Sequence, residues 1–193
     1  SRDFYVPGAT PVGQPDEGLA CMFTMMNTAR LGVGRQGQGR SELAWQASIS
    51  YANDRLQGRA MTGPKQPGKP ADPIIVHPDV RRMLLTQKAF VEGGRVLAFL
   101  TGREIDSASL NPDPDARRRS NELIAFLTPI VKGFLTEVAM EVTSLAVQIH
   151  GGHGFIRQTG VEQLMRDARI TPIYEGTNGI QALDLLGRKV FGT

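Results

Sequence analysis

The sequence has little of what several classes of protein require. Its 193 residues include a single cysteine, Cys21. The chain can therefore form no intrachain disulfide, which fits a reducing compartment. No run of 18 apolar residues occurs, so we expect no membrane span. The first residues lack the apolar segment of a signal peptide, and we expect a cytoplasmic protein.

Charge of either sign is also modest. The chain has 22 basic and 19 acidic residues, for a net charge of +3. Nucleic-acid-binding proteins usually carry a strongly basic face. The one dense basic patch here, Arg117-Arg118-Arg119, is more typical of a solvated first turn of a helix. We therefore expect no nucleic-acid partner.

Two short motifs suggest other functions but lack the context that those functions need. Residues 32–37 read G-V-G-R-Q-G and match a dinucleotide fingerprint, yet the preceding segment has a helical pattern rather than a strand. His150 and His153 flank two glycines, but only one further histidine and no thiolate cluster exist, so we expect no metal site. No serine or thiol nucleophile motif is present.

Apolar residues recur every three or four positions through most of the chain, which predicts helices. The most regular stripe belongs to a helix predicted from about 115 to 149, which Pro129 should kink; its apolar positions are 123, 127, 130, 134, 138, 142, 145 and 149. Other predicted helices run from about 27 to 55, with Asn27 or Thr28 as the cap, and over residues 79–103, 161–169 and 177–190. The predicted fold class is all-α, an up-and-down four-helix bundle.

Proline and glycine mark the remaining segments. Residues 1–18 are rich in both and read as extended chain, with a short strand predicted at 3–6. Residues 60–78 contain five prolines and form a long loop, a type of segment that is often functional or disordered. The glycines at 32, 34, 37 and 39 each cost ~1 kcal/mol in a helix interior relative to alanine. We interpret them as points where another helix or a ligand approaches closely.

Two stretches near the C-terminus suggest binding or chemistry. The long helix ends in His150-Gly151-Gly152-His153-Gly154, whose glycines exceed what a helix cap needs and would let a ligand approach the main chain. Further on, Glu175 lies between an apolar pair (Ile173 and Tyr174) and a run of turn formers. The residues alone leave the function of both stretches open.

A set of short motifs, in the same order and at similar separations, resembles the C-terminal helical domain of acyl-CoA dehydrogenases. The motifs are N-T-A-R at 27–30, Y-A-N-D-R at 51–55, Q-I-H-G-G-H-G-F at 148–155, V-E at 161–162, L-M-R-D-A at 164–168, I-Y-E-G-T at 173–177 and I-Q at 180–181. The resemblance implies that residues 1–18 are the end of a preceding β-domain and that 19–193 are the helical domain. The segment from about 60 to 120 is longer than in medium-chain members and resembles the branch that contains 3-methylmercaptopropionyl-CoA dehydrogenase and related bacterial enzymes.

The resemblance implies a reaction. These flavoenzymes remove a proton from Cα of an acyl-CoA thioester and pass a hydride from Cβ to FAD, giving a trans-2-enoyl-CoA. In most members the base is the glutamate of I-Y-E-G-T, which is Glu175 here, and apolar neighbours with a flavin would desolvate it into a stronger base. Some members carry the base just before the matching arginine, but that position is Ala29. Arg30 is implied to give electrostatic support, and Gly176 to let the thioester lie against the backbone.

The resemblance also implies an FAD site. Arg55 matches an arginine that contacts the FAD diphosphate, a suitable use of a planar cationic group. Gln148, Gly151 and Gly152 match residues that contact the adenosine portion of a neighbouring subunit's FAD, and Thr177 matches a residue beside the diphosphate. Many members have glutamine at the position of Gly179, so one polar FAD contact is missing here.

The implied partners are acyl-CoA as substrate, electron-transfer flavoprotein as electron acceptor, and further copies of the chain in a homodimer or homotetramer. Two alternatives remain open. The flavin could be reoxidised by oxygen, as in acyl-CoA oxidases, or the chain could be a helical oligomerisation module without catalysis. The family's N-terminal helical domain and most of its β-domain are missing from the sequence. We therefore expect this segment alone to bind FAD poorly and not to turn over.

Overall fold

The computed structural model of the protein describes residues 17–192 and the positions 8, 13 and 14. The strand predicted at 3–6, and with it most of the predicted β-domain remnant, lies outside the described residues. Within them the chain is helical and forms no strand. The prediction of an all-α bundle is confirmed.

Three long helices form the body of the bundle: α1 (Gly18–Asp54), α2 (Pro78–Leu110) and α3 (Pro114–His150). The shorter elements that follow are α4 (Gly152–Phe155), α5 (Val161–Ala168) and α6 (Asn178–Leu183), and α6 continues as a π-helical segment at Asp184–Val190. Short 3₁₀ turns occur at Ile74–Val76 and Arg157–Thr159. The central helix, α3, packs against both α1 and α2.

Two helix ends differ from their predicted positions. The first long helix begins at Gly18 and not at 27. Asn27 and Thr28 are exposed, so their side chains do not compete with the helix backbone, and no proline interrupts the segment. The second helix continues to Leu110, because Asn111-Pro112 is the first pair that stops it.

The predicted apolar stripe of α3 is buried only in part. Four of its residues are buried as predicted: Leu127, Val138, Val142 and Ile149. Leu123 and Phe134 are 38% and 45% exposed, whereas Val131 and Leu135, outside the stripe, are buried. The apolar pattern was misleading because several polar residues share the buried face: Ser120, Thr128, Lys132, Thr136 and Thr143. By length and composition α3 could cross a membrane, with a mean hydropathy of 1.6 over its best 18 residues. It is the core helix of this bundle, a position that meets the same criteria.

Pro129 lies inside α3, which continues through it without a break in helical assignment. Proline has no N–H to give to the carbonyl four residues earlier, here that of Ala125. The ammonium of Lys189, on the π-helical segment, donates a hydrogen bond to this carbonyl. The last element of the chain is thus joined to α3 at the point where α3 loses a backbone bond.

The proline-rich loop before α2 is organised by one buried carboxylate. Asp72 is fully buried and accepts hydrogen bonds from the backbone N–H groups of Ala60, Lys65 and Gln66, at 3.0, 2.9 and 2.7 Å. These bonds, the Ala60 one foremost, lower the pKa of Asp72 to about 2. The loop is therefore ordered, and it positions the residues directly after α1.

Candidate functional site

Glu175 lies on a compact turn between α5 and α6. Thr171, at the start of the turn, is fully buried, and the backbone N–H of Asn178 donates to the carbonyl of Pro172 at 3.1 Å. Glu175 has φ +55° and Gly176 has φ +88°. A left-handed backbone at a residue other than glycine costs on the order of 1 kcal/mol, and such strain clusters at functional sites.

The Glu175 side chain is half-buried. In the part of the chain that the structure describes, no hydrogen bond or ion pair holds its carboxylate. The preceding residue anchors the turn instead, because the Tyr174 hydroxyl donates a hydrogen bond to Gln36 Oε1 on α1. The carboxylate is thus held by the backbone and is available to a ligand.

Arg30 lies beside this turn and is 7% exposed. Its guanidinium pairs with Asp184 at 3.7 Å, and its Nε has no hydrogen-bond partner. A Cβ placed on Gly176 would lie 3.7 Å from Arg30 Nη2 and 2.8 Å from Gln181 Nε2. The structure therefore brings together Arg30, Glu175 and Gly176, as the sequence motifs predicted for one site.

Thr177 is the N-cap of α6, and its hydroxyl accepts a hydrogen bond from the backbone N–H of Ile180 at 3.4 Å. Because Thr177 is exposed and follows Gly176 directly, it lies on the same turn as Glu175. Capping fixes the start of the helix that carries Gln181 and Asp184. Gln181 then reaches back to the turn, where its Nε2 donates to the Gly176 carbonyl at 3.1 Å, and Asp184 pairs with Arg30.

Sequence reasoning missed Lys132, which is fully buried on α3. Its Nζ donates a hydrogen bond to Asn178 Oδ1 at 2.9 Å. Burial lowers the pKa of Lys132 to about 8; the positive charge of Arg30 lowers it further, and the negative charges of Glu137 and Glu175 oppose that shift. The sequence signal that could have revealed Lys132 is its position inside an apolar run, between Val131 and Gly133.

A second cluster lies at the C-terminal end of α1. Arg55, Gln148, Gly151 and Gly152 line one open cavity of about 460 Å³. Gly151 has φ +58°, and a Cβ at Gly151 or Gly152 would meet nothing within 4 Å. Arg55 is exposed, and among the described residues no carboxylate pairs with its guanidinium. These features leave room for a ligand that brings negative charge.

Aromatic side chains form one wall of this cavity. The rings of Tyr51 and His150 stack with centroids 4.2 Å apart, and His150 Nδ1 lies 2.8 Å from the Ala146 carbonyl. Burial lowers the pKa of His150, which keeps its imidazole neutral near pH 7. Within the described residues, no three side chains of the metal-binding types come together, at His153 or elsewhere.

The two clusters are far apart in one chain. Arg30 lies in the first half of α1 and Arg55 follows its last residue, which at ~1.5 Å of rise per residue places them roughly 37 Å apart along the helix axis. Thr177 belongs to the cluster around Arg30, and Gln148 belongs to the cluster around Arg55. A single dinucleotide cannot contact both clusters within one subunit.

Comparison with known proteins gives the chain a family. Residues 16–190 match the family model described as acyl-CoA dehydrogenase, C-terminal domain. The chain is 56% identical over 179 residues to 3-methylmercaptopropionyl-CoA dehydrogenase of Ruegeria pomeroyi, a match that covers 93% of this chain and 30% of that protein.

Solved structures agree with this match. Butyryl-CoA dehydrogenase from Megasphaera elsdenii superposes with a TM-score of 0.70 at 28% identity, over 91% of this chain and 39% of that one. A structure described as the electron transferring flavoprotein of Acidaminococcus fermentans contains a chain that matches with a TM-score of 0.73 at 26% identity, over 94% and 41%. The chain thus spans well under half the length of each of these relatives.

Proposed function

The chain belongs to the acyl-CoA dehydrogenase family and carries its C-terminal domain, and on that premise we propose that it forms part of the catalytic site of an enzyme that dehydrogenates acyl-CoA thioesters between Cα and Cβ. The family membership agrees with the resemblance seen in the sequence motifs. The 56% identity to 3-methylmercaptopropionyl-CoA dehydrogenase supports a substrate from the same chemical class, a short acyl-CoA with a thioether chain.

One observation carries the proposal most directly. Glu175 projects from a backbone-strained turn, with no partner among the described residues and with the buried Arg30 close by. A base that removes an α-proton must be free to accept it and fixed in direction, and this turn provides both. Arg30 adds positive charge near the place where the thioester enolate develops negative charge.

The residues of both clusters fit FAD as the cofactor. The unpaired Arg55 guanidinium suits the diphosphate, and the open main chain at Gly151 and Gly152, together with Gln148, suits the adenosine portion. Thr177 adds a hydroxyl on the turn that carries the base. When bound, FAD supplies the acceptor for the hydride that leaves Cβ.

Because these residues lie in two separate clusters, we infer that each FAD site is shared between two subunits. Each FAD would lie between the Glu175 turn of one subunit and the Arg55 cavity of another, so the active form would be a homodimer or homotetramer. Electron-transfer flavoprotein is the proposed acceptor, which the likeness to a chain in the Acidaminococcus structure supports. Acyl-CoA oxidase activity is tested by comparing reoxidation of the reduced enzyme by that flavoprotein and by oxygen.

Substitution of the proposed base tests the function in the complete enzyme. Glu175→Gln keeps the shape of the side chain and removes the proton acceptor, so we expect turnover to fall by roughly 100- to 10,000-fold. Acyl-CoA binding should stay close to that of the unsubstituted enzyme. Solvent exchange of the substrate's α-deuterium, followed by mass spectrometry, measures the proton step directly.

Glu141→Gln is the matched control, because Glu141 is an exposed glutamate on α3 outside both clusters. It should leave exchange and turnover unchanged. Retention of α-deuterium exchange in Glu175→Gln would show that another group is the base and would overturn the assignment.

A further inference from the structure

The turn that carries Glu175 rests on a buried cation. Lys132 is fully buried on α3, and lysine is rarely buried without a carboxylate partner. Within the described residues its ammonium forms no ion pair, and its hydrogen bond goes to a neutral amide oxygen, Asn178 Oδ1, at 2.9 Å. A charge buried without an opposite charge beside it lowers stability. We therefore expect that the ammonium of Lys132 performs a function.

Asn178 connects this lysine to the turn. Its backbone N–H closes the turn on the Pro172 carbonyl at 3.1 Å. Its side-chain nitrogen donates to Thr136 Oγ1 at 3.0 Å and to Glu137 Oε1 at 2.8 Å. The amide is therefore oriented with its oxygen towards the cation and its nitrogen towards the carboxylate, and it ties the end of the turn to α3.

The same hydrogen bonds show where the residue before Gly179 is directed. The side chain of Asn178 is directed into the bundle, towards Lys132 and Thr136, and away from any ligand that meets the exposed residue Thr177. Asn178 thus supports the turn from the side that faces the bundle. A flavin would contact the neighbouring residues instead.

Charged groups face Lys132 from each element around it. Glu137 lies on α3, Arg30 on α1 and Glu175 on the turn, and all three act electrostatically on the Lys132 ammonium. Arg30 is itself paired with Asp184 of the π-helical segment.

We propose that Lys132 is a positioning residue for dehydrogenation: through its hydrogen bond to Asn178 it holds the turn that presents Glu175. This inference rests on the proposed function of Glu175. Lys132 does not contact the substrate and acts through its neighbours.

Two variants of the complete enzyme test the proposal. Lys132→Met keeps the length of the side chain and removes the charge and the hydrogen bond. We expect kcat to fall about 10- to 100-fold, as for a misplaced catalytic group, with little change in the KM for acyl-CoA or in bound flavin.

Asn178→Leu is the second variant and keeps the approximate size of the side chain. It removes the oxygen that accepts from Lys132 Nζ and the nitrogen that donates to Thr136 and Glu137, so kcat should again fall while the KM for acyl-CoA stays close to that of the unsubstituted enzyme. Lys88→Met, an exposed lysine on α2 paired with Glu92, is the control and should change neither quantity.

The outcomes separate this inference from the function on which it rests. If the unsubstituted enzyme does not dehydrogenate any acyl-CoA, or if Glu175→Gln remains active, the proposed function fails. If Glu175→Gln is inactive but Lys132→Met and Asn178→Leu both keep the unsubstituted kcat, the role of Lys132 is overturned. If Lys132→Met does not fold, Asn178→Leu decides the question.

Discussion

At the scale of single residues, Gly176 shows how closely the turn is fitted around Glu175. Its φ of +88° lies in the region that favours glycine, and a Cβ there would lie 2.8 Å from Gln181 Nε2. Gln181 is 2% exposed and donates to the Gly176 carbonyl, so it cannot move away without losing that bond. Backbone conformation and space therefore both require glycine.

Alanine substitution at two glycines of the same turn tests this requirement. Gly176→Ala should lower the free energy of unfolding by roughly 1–3 kcal/mol, from left-handed strain and the clash with Gln181. Gly179→Ala is the control, because the nearest atom to its Cβ would be Thr177 Oγ1 at 3.8 Å and the residue is helical. Urea denaturation of the complete enzyme measures both. Equal stability of the two variants would contradict the fitted turn.

The residue scale also shows what a sequence can and cannot predict about the site. Glu175 was identified because its neighbours form a contiguous motif, and Ala29 excluded an alternative base because the two positions belong to known local patterns. Lys132 and Asp184 were not identified. Their roles depend on burial and on partners far along the chain, such as Arg30 with Asp184 at 3.7 Å, and no local pattern encodes those.

At the scale of elements, the glycines of α1 determine how closely it approaches α3. A Cβ on Gly37 would lie 2.6 Å from the Leu135 carbonyl oxygen, and one on Gly34 would lie 2.8 Å from Val131 Cγ1. Gly32 and Gly39 have nothing within 4 Å. The G-x-G-x-x-G pattern is therefore a helix-packing feature, and two of its three glycines, Gly34 and Gly37, carry it.

Two substitutions in α1 distinguish a glycine that contacts α3 from one that does not. Gly37→Ala forces a Cβ into the backbone of α3 and should lower the free energy of unfolding by about 1–3 kcal/mol or more. Gly39→Ala should raise it by ~0.5–1 kcal/mol, since alanine is the better helix former. Thermal unfolding of the complete enzyme measures both changes. Stabilisation by Gly37→Ala would show that α1 and α3 are not closely packed at this point.

The elements themselves were predictable to different degrees. Helical periodicity identified all three long helices, because each buries one continuous face. The start of α3 at Pro114 was predicted to within about one residue, whereas the weak cap at Asn27 suggested a boundary that is absent and α2 continues beyond its predicted end to Leu110. The buried face of α3 was predicted only in part, because an apolar stripe does not reveal buried threonines and a buried lysine such as Lys132.

At the scale of the whole molecule, the motifs predicted a set of cofactor-binding residues. They did not predict that these residues lie in two separate clusters. Arg55 and Thr177 both match contacts to the FAD diphosphate, yet Arg55 follows the last residue of α1 whereas the turn of Thr177 packs beside Arg30 and Gln36, in the first half of that helix. The sequence cannot show this division, because it depends on where the turn after α5 packs along α1. The structure is consistent with both matches only if the two residues meet across a subunit interface.

Subunit complementation tests that interface in the complete enzyme. Glu175→Gln removes the base from one half of each site, and Arg55→Ala removes the cation from the other half, so each variant alone should have little activity. Subunits of the two variants mixed before assembly should regain up to about a quarter of the unsubstituted activity, since random pairing of a symmetric interface joins an intact Glu175 to an intact Arg55 in one site of four. Mixing Glu175→Gln with a chain that carries both substitutions is the control and should regain nothing, because no site can then contain both groups. Activity assays with bound flavin measured in parallel distinguish restored sites from restored folding. Mixed oligomers that stay inactive while binding flavin normally would show that the Glu175 turn and the Arg55 cavity do not serve one FAD.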